Sequence, residues 1–188
     1  YPNDFIILNN IIISQQGIII TQTNDVYING GCLCQTNNNY NFNSIINKIR
    51  KYDSVISITA LWSEGIWHFP SEAFSSLKAL PENILYDDSI MIHVTKKTNY
   101  ILSWCNLINI NHNRIIEGNI FSKNTYLPRM GKCGNPYLYQ INWLSKVIKN
   151  NLLKNNYSDN KEKYVIIIKR TKKRQMINYA TVEQIITN

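Results

Sequence analysis

Residues 55–80 constrain the fold more than any other stretch of the chain. Val55-Ile56-Ser57-Ile58-Thr59 is a β-branched run with the length and composition of a buried strand. It passes directly into ALWSEGIWHFPSEAFSSLKAL at residues 60–80, where Ala73, Phe74, Leu77 and Leu80 have helical spacing. The turn between strand and helix occupies residues 63–70. Pro70 suits the first turn of a helix, where its missing N–H costs nothing, so Trp67, His68 and Phe69 fall at the helix's positive end. In α/β proteins that place collects chemistry. The same residue types also suit a core role, with Trp67 and Phe69 as buried aromatics and His68 meeting a buried hydrogen bond.

Around this unit the chain alternates. Residues 5–8, 11–14 and 17–21 are short β-branched runs separated by Asn-Asn and Gln-Gln-Gly, and Val26-Tyr27-Ile28 ends at Gly30-Gly31, which together predict a β-meander over residues 1–31. An Asn-rich connection at 37–43 precedes a short helix or turn marked by Ile45, Ile46 and Ile49. Pro81-Glu82-Asn83 stops the central helix, residues 84–86 and 90–94 read as further strands, and residues 100–108 have a helical apolar face. Residues 114–116 and 120–121 are extended, and residues 128–136 form a loop punctuated by Gly and Pro. Residues 137–153 carry the longest helical pattern, with Leu138, Ile141, Leu144, Val147 and Ile148 on one face. A polar linker at 157–163 leads to a strand at 164–168 and a final helix capped by Asn178 or Thr181. This order predicts an α/β domain with a mostly parallel sheet covered on both faces by flanking helices.

With 44% apolar and 11% aromatic residues, 188 residues suffice for a sizeable core. No apolar run approaches the roughly 18 residues of a membrane span, and no leader pattern opens the chain. The chain begins at Tyr1, as an excised or trimmed fragment does. Cys32, Cys34, Cys105 and Cys133 are too sparse for a disulfide framework, and Asn156-Tyr157-Ser158 is the single glycosylation acceptor. Both features favour a reducing, cytoplasmic compartment. Cys32 and Cys34 have no second pair at zinc-site spacing, and His68, His93 and His112 are scattered, so no metal is expected. The absence of a Walker loop, a G-x-S-x-G elbow and a dinucleotide fingerprint argues against nucleotide hydrolases, serine hydrolases and common dehydrogenases.

The net charge of +8 is concentrated. Residues 146–174 hold 10 of the 20 Lys and Arg with only Asp159 and Glu162 among them, and the remaining residues sum to zero. Lys169-Arg170-Thr171-Lys172-Lys173-Arg174 directly follows the 164–168 strand, a placement that favours phosphate at a strand's carboxyl end. A solvated charged loop accounts for the run equally well. Tracking of a nucleic-acid backbone is a third reading, though no recognisable binding module accompanies it.

Several segments carry a resemblance. Gly65-Ile66-Trp67-His68-Phe69-Pro70-Ser71-Glu72, then Pro81-Glu82-Asn83 ahead of Ile90-Met91-Ile92-His93-Val94, resembles the acceptor-side half of family 61 glycosyltransferases, grouped with the EGF-domain O-GlcNAc transferase and plant arabinosyl- and xylosyltransferases. Tyr126-Leu127-Pro128, the Cys133-Gly134-Asn135-Pro136 loop and the Lys169-to-Asn178 stretch extend it. The chain lacks the family's later His-Gly-Ala-type loop and donor-binding acid. The resemblance implies one Rossmann-like lobe of a GT-B-like fold at residues 1–156, followed at 157–188 by a linker and the opening strand and helix of a nucleotide-sugar lobe whose remainder is missing.

It also implies transfer of a sugar from a nucleotide-sugar donor to a hydroxyl of a protein or glycan acceptor, with inversion, and no cofactor or metal. His68 is then the candidate base, with Glu64 and Glu72 as fallbacks. A helix N-terminus disfavours a cation, which suits an imidazole acting as a base. Lys169, Arg170, Lys173, Arg174 and Asn178 would hold the diphosphate, with Arg129 and Lys132 lining the cleft. Two other classes stay open: a basic nucleic-acid-binding module, and a non-catalytic, degenerate transferase lobe acting in protein interaction.

Overall fold

A computed structural model describes residues 4–30, 49–132 and 134–154. The chain divides into two compact units, Tyr1–Asn151 and Leu152–Asn188, a few residues ahead of the boundary expected at 156/157. The Asn-rich connection, Cys32, Cys34, Cys133, the 164–168 strand, the final helix and the cluster of Lys169, Arg170, Lys173, Arg174 and Asn178 lie outside the described residues.

Among the described residues seven strands form one sheet: β1 (Phe5–Ile13), β2 (Ile18–Ile20), β3 (Val26–Ile28), β4 (Arg50–Ser57), β5 (Met91–His93), β6 (Ile115–Ile116) and β7 (Ile120–Pro128), in the order β3-β2-β1-β7-β4-β5-β6. β4 pairs in parallel with both β5 and β7, and β5 with β6. The β1–β2, β2–β3 and β1–β7 pairs are antiparallel. The sheet is therefore mixed rather than mostly parallel. The meander is present but is no separate layer, because β1 runs its full length against β7.

β4, β5 and β6 are joined by helical crossovers. The first contains a π-helix (Phe69–Phe74), a 3-10 segment (Ser75–Ala79) and helix α1 (Glu82–Leu85), and the second contains α2 (Asn99–Asn106). Helix α3 (Leu138–Lys154) follows β7. Residues 84–86, expected as a strand, instead fall largely in α1. Pro81 sits at its N-cap with an extended backbone, and its carbonyl accepts from Ile84 and Leu85 N–H at 3.0 Å each. α2 begins where Thr98 Oγ1 accepts from Ile101 N–H at 3.3 Å.

The two faces of the sheet are covered differently. On one, Ile56, Ile58, Ile92 and Val94 pack against Phe69, Phe74, Leu77, Ile101, Cys105 and Leu144 from the helical segments. On the other, Ile11, Ile13, Ile19, Val55, Ile116, Ile120 and Leu127 pack strand against strand. That arrangement needs a sheet that curls back upon itself. The ladders are interrupted at one level: Asn10 is skipped between β1 and β7, and Asp53 and Lys123 are skipped between β4 and β7. Asn10 has a φ of 52°, a left-handed backbone that interrupts the pairing opposite Lys123 without changing its register. Among the described residues the helical segments pack on the first of these faces; the further helices expected from the sequence lie outside the described residues.

The closure is visible at Gly17. One end of the ladder joins Ile13, Ile120 and Arg50, yet Gly17, just past Ile13, packs on Thr59, just past the far end of β4. A Cβ on Gly17 would lie 2.6 Å from the Thr59 carbonyl oxygen. A flat strand of eight residues, at about 3.3 Å each, would hold those ends about 25 Å apart. Among the described residues no helix is long and apolar enough to cross a membrane.

Candidate functional site

The chain leaves β4 through residues 58–68, where hydroxyl groups fix its path. Ser63 Oγ accepts from Ala60 N–H at 3.1 Å and meets Thr95 Oγ1 in a short hydrogen bond, so the loop after β4 is tied to the chain after β5. Trp62 takes a φ of 67°, a strained conformation for a bulky residue. Trp62, Ile66 and Trp67 all stand exposed on this loop. The core role considered for Trp67 is therefore not the one it takes, while Phe69 is buried at 1% exposure. Tyr100 of α2 holds the loop from below by donating its hydroxyl to the Ile66 carbonyl at 2.7 Å.

His68 and Glu72 come together where this loop enters the π-helix. His68 Nδ1 lies 3.0 Å from Glu72 Oε1, with the imidazole 29% exposed and the carboxylate 6% exposed. The Gly134 N–H donates to the same oxygen at 2.7 Å. A carboxylate oxygen only accepts, so Nδ1 is the donor in this bond, and in the neutral imidazole Nε2 is then the acceptor. Nε2 has no hydrogen-bond partner among the described residues. The pair has the form of an oriented base: an imidazole with one open nitrogen, its other nitrogen held by a buried carboxylate.

Gly134 arrives from the loop after β7. Gly131 makes that loop possible, since a Cβ there would lie 2.5 Å from Pro136 Cα. The hairpin closes through the Asn135 N–H, which donates to the Lys132 carbonyl at 2.8 Å. The loops following β4 and β7 therefore meet at Glu72. These are the neighbouring parallel strands between which the order reverses, since β5 and β6 extend the sheet on one side of β4 and β7 lies on the other. Ligands of open α/β sheets bind at such reversals.

The other residues singled out in the sequence are dispersed. Glu64 is exposed and lines a separate cavity of about 290 Å³ with Gln15, Gln16, Trp62 and Thr95; His68 is not part of its wall. Lys132 is exposed on the hairpin that delivers Gly134. Arg129 is exposed at the start of that loop, with its guanidinium 5.1 Å over the Tyr137 ring. Among the described residues no three His, Cys, Asp or Glu side chains group as a metal site. The contribution the sequence reading missed is the Gly134 amide, a backbone group that residue type does not announce. The neighbouring Gly131 and Pro136 were its only signal.

No protein-family model, curated protein or solved structure matches this chain.

Proposed function

We propose that this chain carries the acceptor-side lobe of an inverting glycosyltransferase, with His68 as the base that activates an acceptor hydroxyl. The observation that carries the reading is the His68–Glu72–Gly134 arrangement, in which an imidazole with an open Nε2 is oriented by a buried carboxylate. Nε2 takes the proton from the acceptor oxygen as that oxygen attacks the anomeric carbon, and the bond from carbon to diphosphate breaks on the opposite side. The imidazolium so formed is paired with Glu72, which makes Glu72 a positioning residue. Exposed Trp67, next to His68 in the chain, supplies a flat apolar face of the kind on which sugar rings stack. Lys132 stands on the adjoining loop, and the cations from Lys169 to Arg174 are assigned the leaving diphosphate by charge and family resemblance. The Rossmann-like, GT-B-like character of the lobe belongs to the same reading, supported by the parallel β4-β5-β6 unit with its helical crossovers.

The test is transfer from a panel of nucleotide sugars by the intact protein. His68→Ala should lower turnover by about a hundredfold or more while leaving the donor Kd nearly unchanged, as loss of a general base does. Glu72→Gln should lower turnover less and shift its pH profile, because an amide keeps the bond from Gly134 but no longer offsets the imidazolium charge. Equal turnover in His68→Ala and the parent would remove the mechanism. Binding of an oligonucleotide with steep salt dependence, alongside no saturable binding of any nucleoside diphosphate, would give the function to the nucleic-acid class instead.

A further inference from the structure

Residues of β1, β3 and the end of β7 enclose a concave groove of about 660 Å³, with Phe5, Leu8, Ile28, Leu127 and Met130 in its walls. That volume falls within the roughly 300–1,000 Å³ of small-molecule sites. Two more wall residues, Ile6 and Tyr27, are 57% and 55% exposed. Large apolar side chains gathered open to water in a concavity mark a binding surface. The groove lies beside the first half of β1, which is laddered to β7 along its length, whereas β2 pairs with β1 only at Ile12 and Ile13.

Arg129 stands at the rim. Its backbone is fixed from both sides: its N–H donates to the Asp4 carbonyl at 2.7 Å, and its own carbonyl accepts from Gln140 Nε2 at 2.8 Å. Its guanidinium rests over Tyr137 and has no carboxylate partner among the described residues. The acid nearest in the groove wall, Asp4, is occupied by the Tyr139 hydroxyl, which donates to it and accepts from Gln140 Nε2 at 3.1 Å. The groove therefore joins an apolar floor to one cation whose donors are uncommitted.

We propose that this groove binds an amphiphile with a single anionic head, its alkyl chain lying along β1 and β3 and its carboxylate or phosphate paired with Arg129. A guanidinium offers a planar fork that matches either head, and the apolar walls select a chain over a polar body. The proposal is independent of the transferase reading and concerns a different part of the molecule from His68.

Calorimetry of the intact chain with dodecanoate and dodecyl phosphate below their micelle concentrations, and with dodecanol below its solubility limit, tests it. Dodecanoate should bind saturably and one-to-one, and removal of each methylene should weaken binding roughly two- to fourfold. Dodecanol, lacking the charge, should bind more weakly, and the phosphate arm shows which anionic head is preferred. Arg129→Gln should weaken both anionic probes about fivefold or more while leaving dodecanol unchanged. Ile6→Asp alters an exposed position, which leaves the fold intact, and should weaken all three. Failure of dodecanoate and dodecyl phosphate to saturate, or equal affinity of both variants and the parent, would overturn the assignment. So would sedimentation showing a dimer that Ile6→Asp dissociates, since the groove would then be an interface between copies.

Discussion

His93 and His68 are hard to tell apart in the sequence, and their surroundings separate them. His93 lies in β5 at 0% exposure, its Nε2–H donating to the Gly118 carbonyl at 2.8 Å and its Nδ1 facing Ser57 Oγ at 3.4 Å. Burial pushes its pKa down from 6.5 to about 4, against the smaller opposing effect of the Gly118 bond. The folded protein thus keeps His93 neutral where the unfolded chain already takes up a proton. Its contribution to stability is complete above pH 6.5 and is lost as the pH falls towards about 4. The loss amounts to about 3 kcal/mol, on the order of 1.4 kcal/mol per pH unit. Urea unfolding followed between neutral and acid pH should show this slope in the parent and a shallower one in His93→Gln. Parallel curves would mean that His93 is not the group responsible. His68, by contrast, keeps one nitrogen open, and a sequence of similar apolar neighbours cannot distinguish a histidine whose two nitrogens are occupied from one that is half exposed.

At the scale of elements, the apolar spacing of 73, 74, 77 and 80 identified a helical segment but not its form. Ser71, Ser75 and Ser76 donate their hydroxyls to the carbonyls of Trp67, Ser71 and Ala73, each at 2.6 Å. Such back-bonding competes with regular helix geometry, and the segment winds as a π-helix followed by a 3-10 turn. Its packing centres on Phe74, at 0% exposure, whose ring lies 5.9 Å from Phe69, 5.6 Å from Trp104 and 5.9 Å from Trp143. Phe74→Ala should cost about 3–5 kcal/mol by opening a cavity between the π-helix, α2 and α3. Phe74→Leu should cost distinctly less, and chemical denaturation measures both. α2 and α3 were legible as helices from their spacing, but of the face expected for α3 only Leu144 is buried, while Leu138 and Ile148 stand exposed. β7 was legible only at residues 120–121, because Ser122, Lys123, Asn124 and Thr125 carry no apolar strand pattern. Its strand character comes from being clasped between β1 and β4, pairings too distant in sequence for local pattern to reveal.

For the molecule as a whole, the alternation of strands and helices correctly indicated an α/β protein, whereas the strand packing on its second face depended on curvature. Asn10 looks like one more asparagine in an Asn-rich chain, but its left-handed backbone interrupts the pairing where the ladders skip Asp53 and Lys123. Among the described residues the second apolar cluster is built from strands alone. The contact that closes the curl is Gly17 against the chain after β4. Gly17 has a φ of 83°, and an added Cβ would meet Thr59 and Ala60 backbone atoms at 2.6–3.0 Å. Gly118 has a similar φ of 94° but nothing within 4 Å of the same added atom. Alanine at Gly118 should therefore cost only backbone strain, about 1–2 kcal/mol. Alanine at Gly17 adds to that strain a clash with backbone that cannot swing aside, so Gly17→Ala should lose at least about 1 kcal/mol more than Gly118→Ala. Because both variants start from the same left-handed conformation, the difference between their denaturation midpoints reports the closure contact itself. Equal losses would show that the sheet stays curled without it.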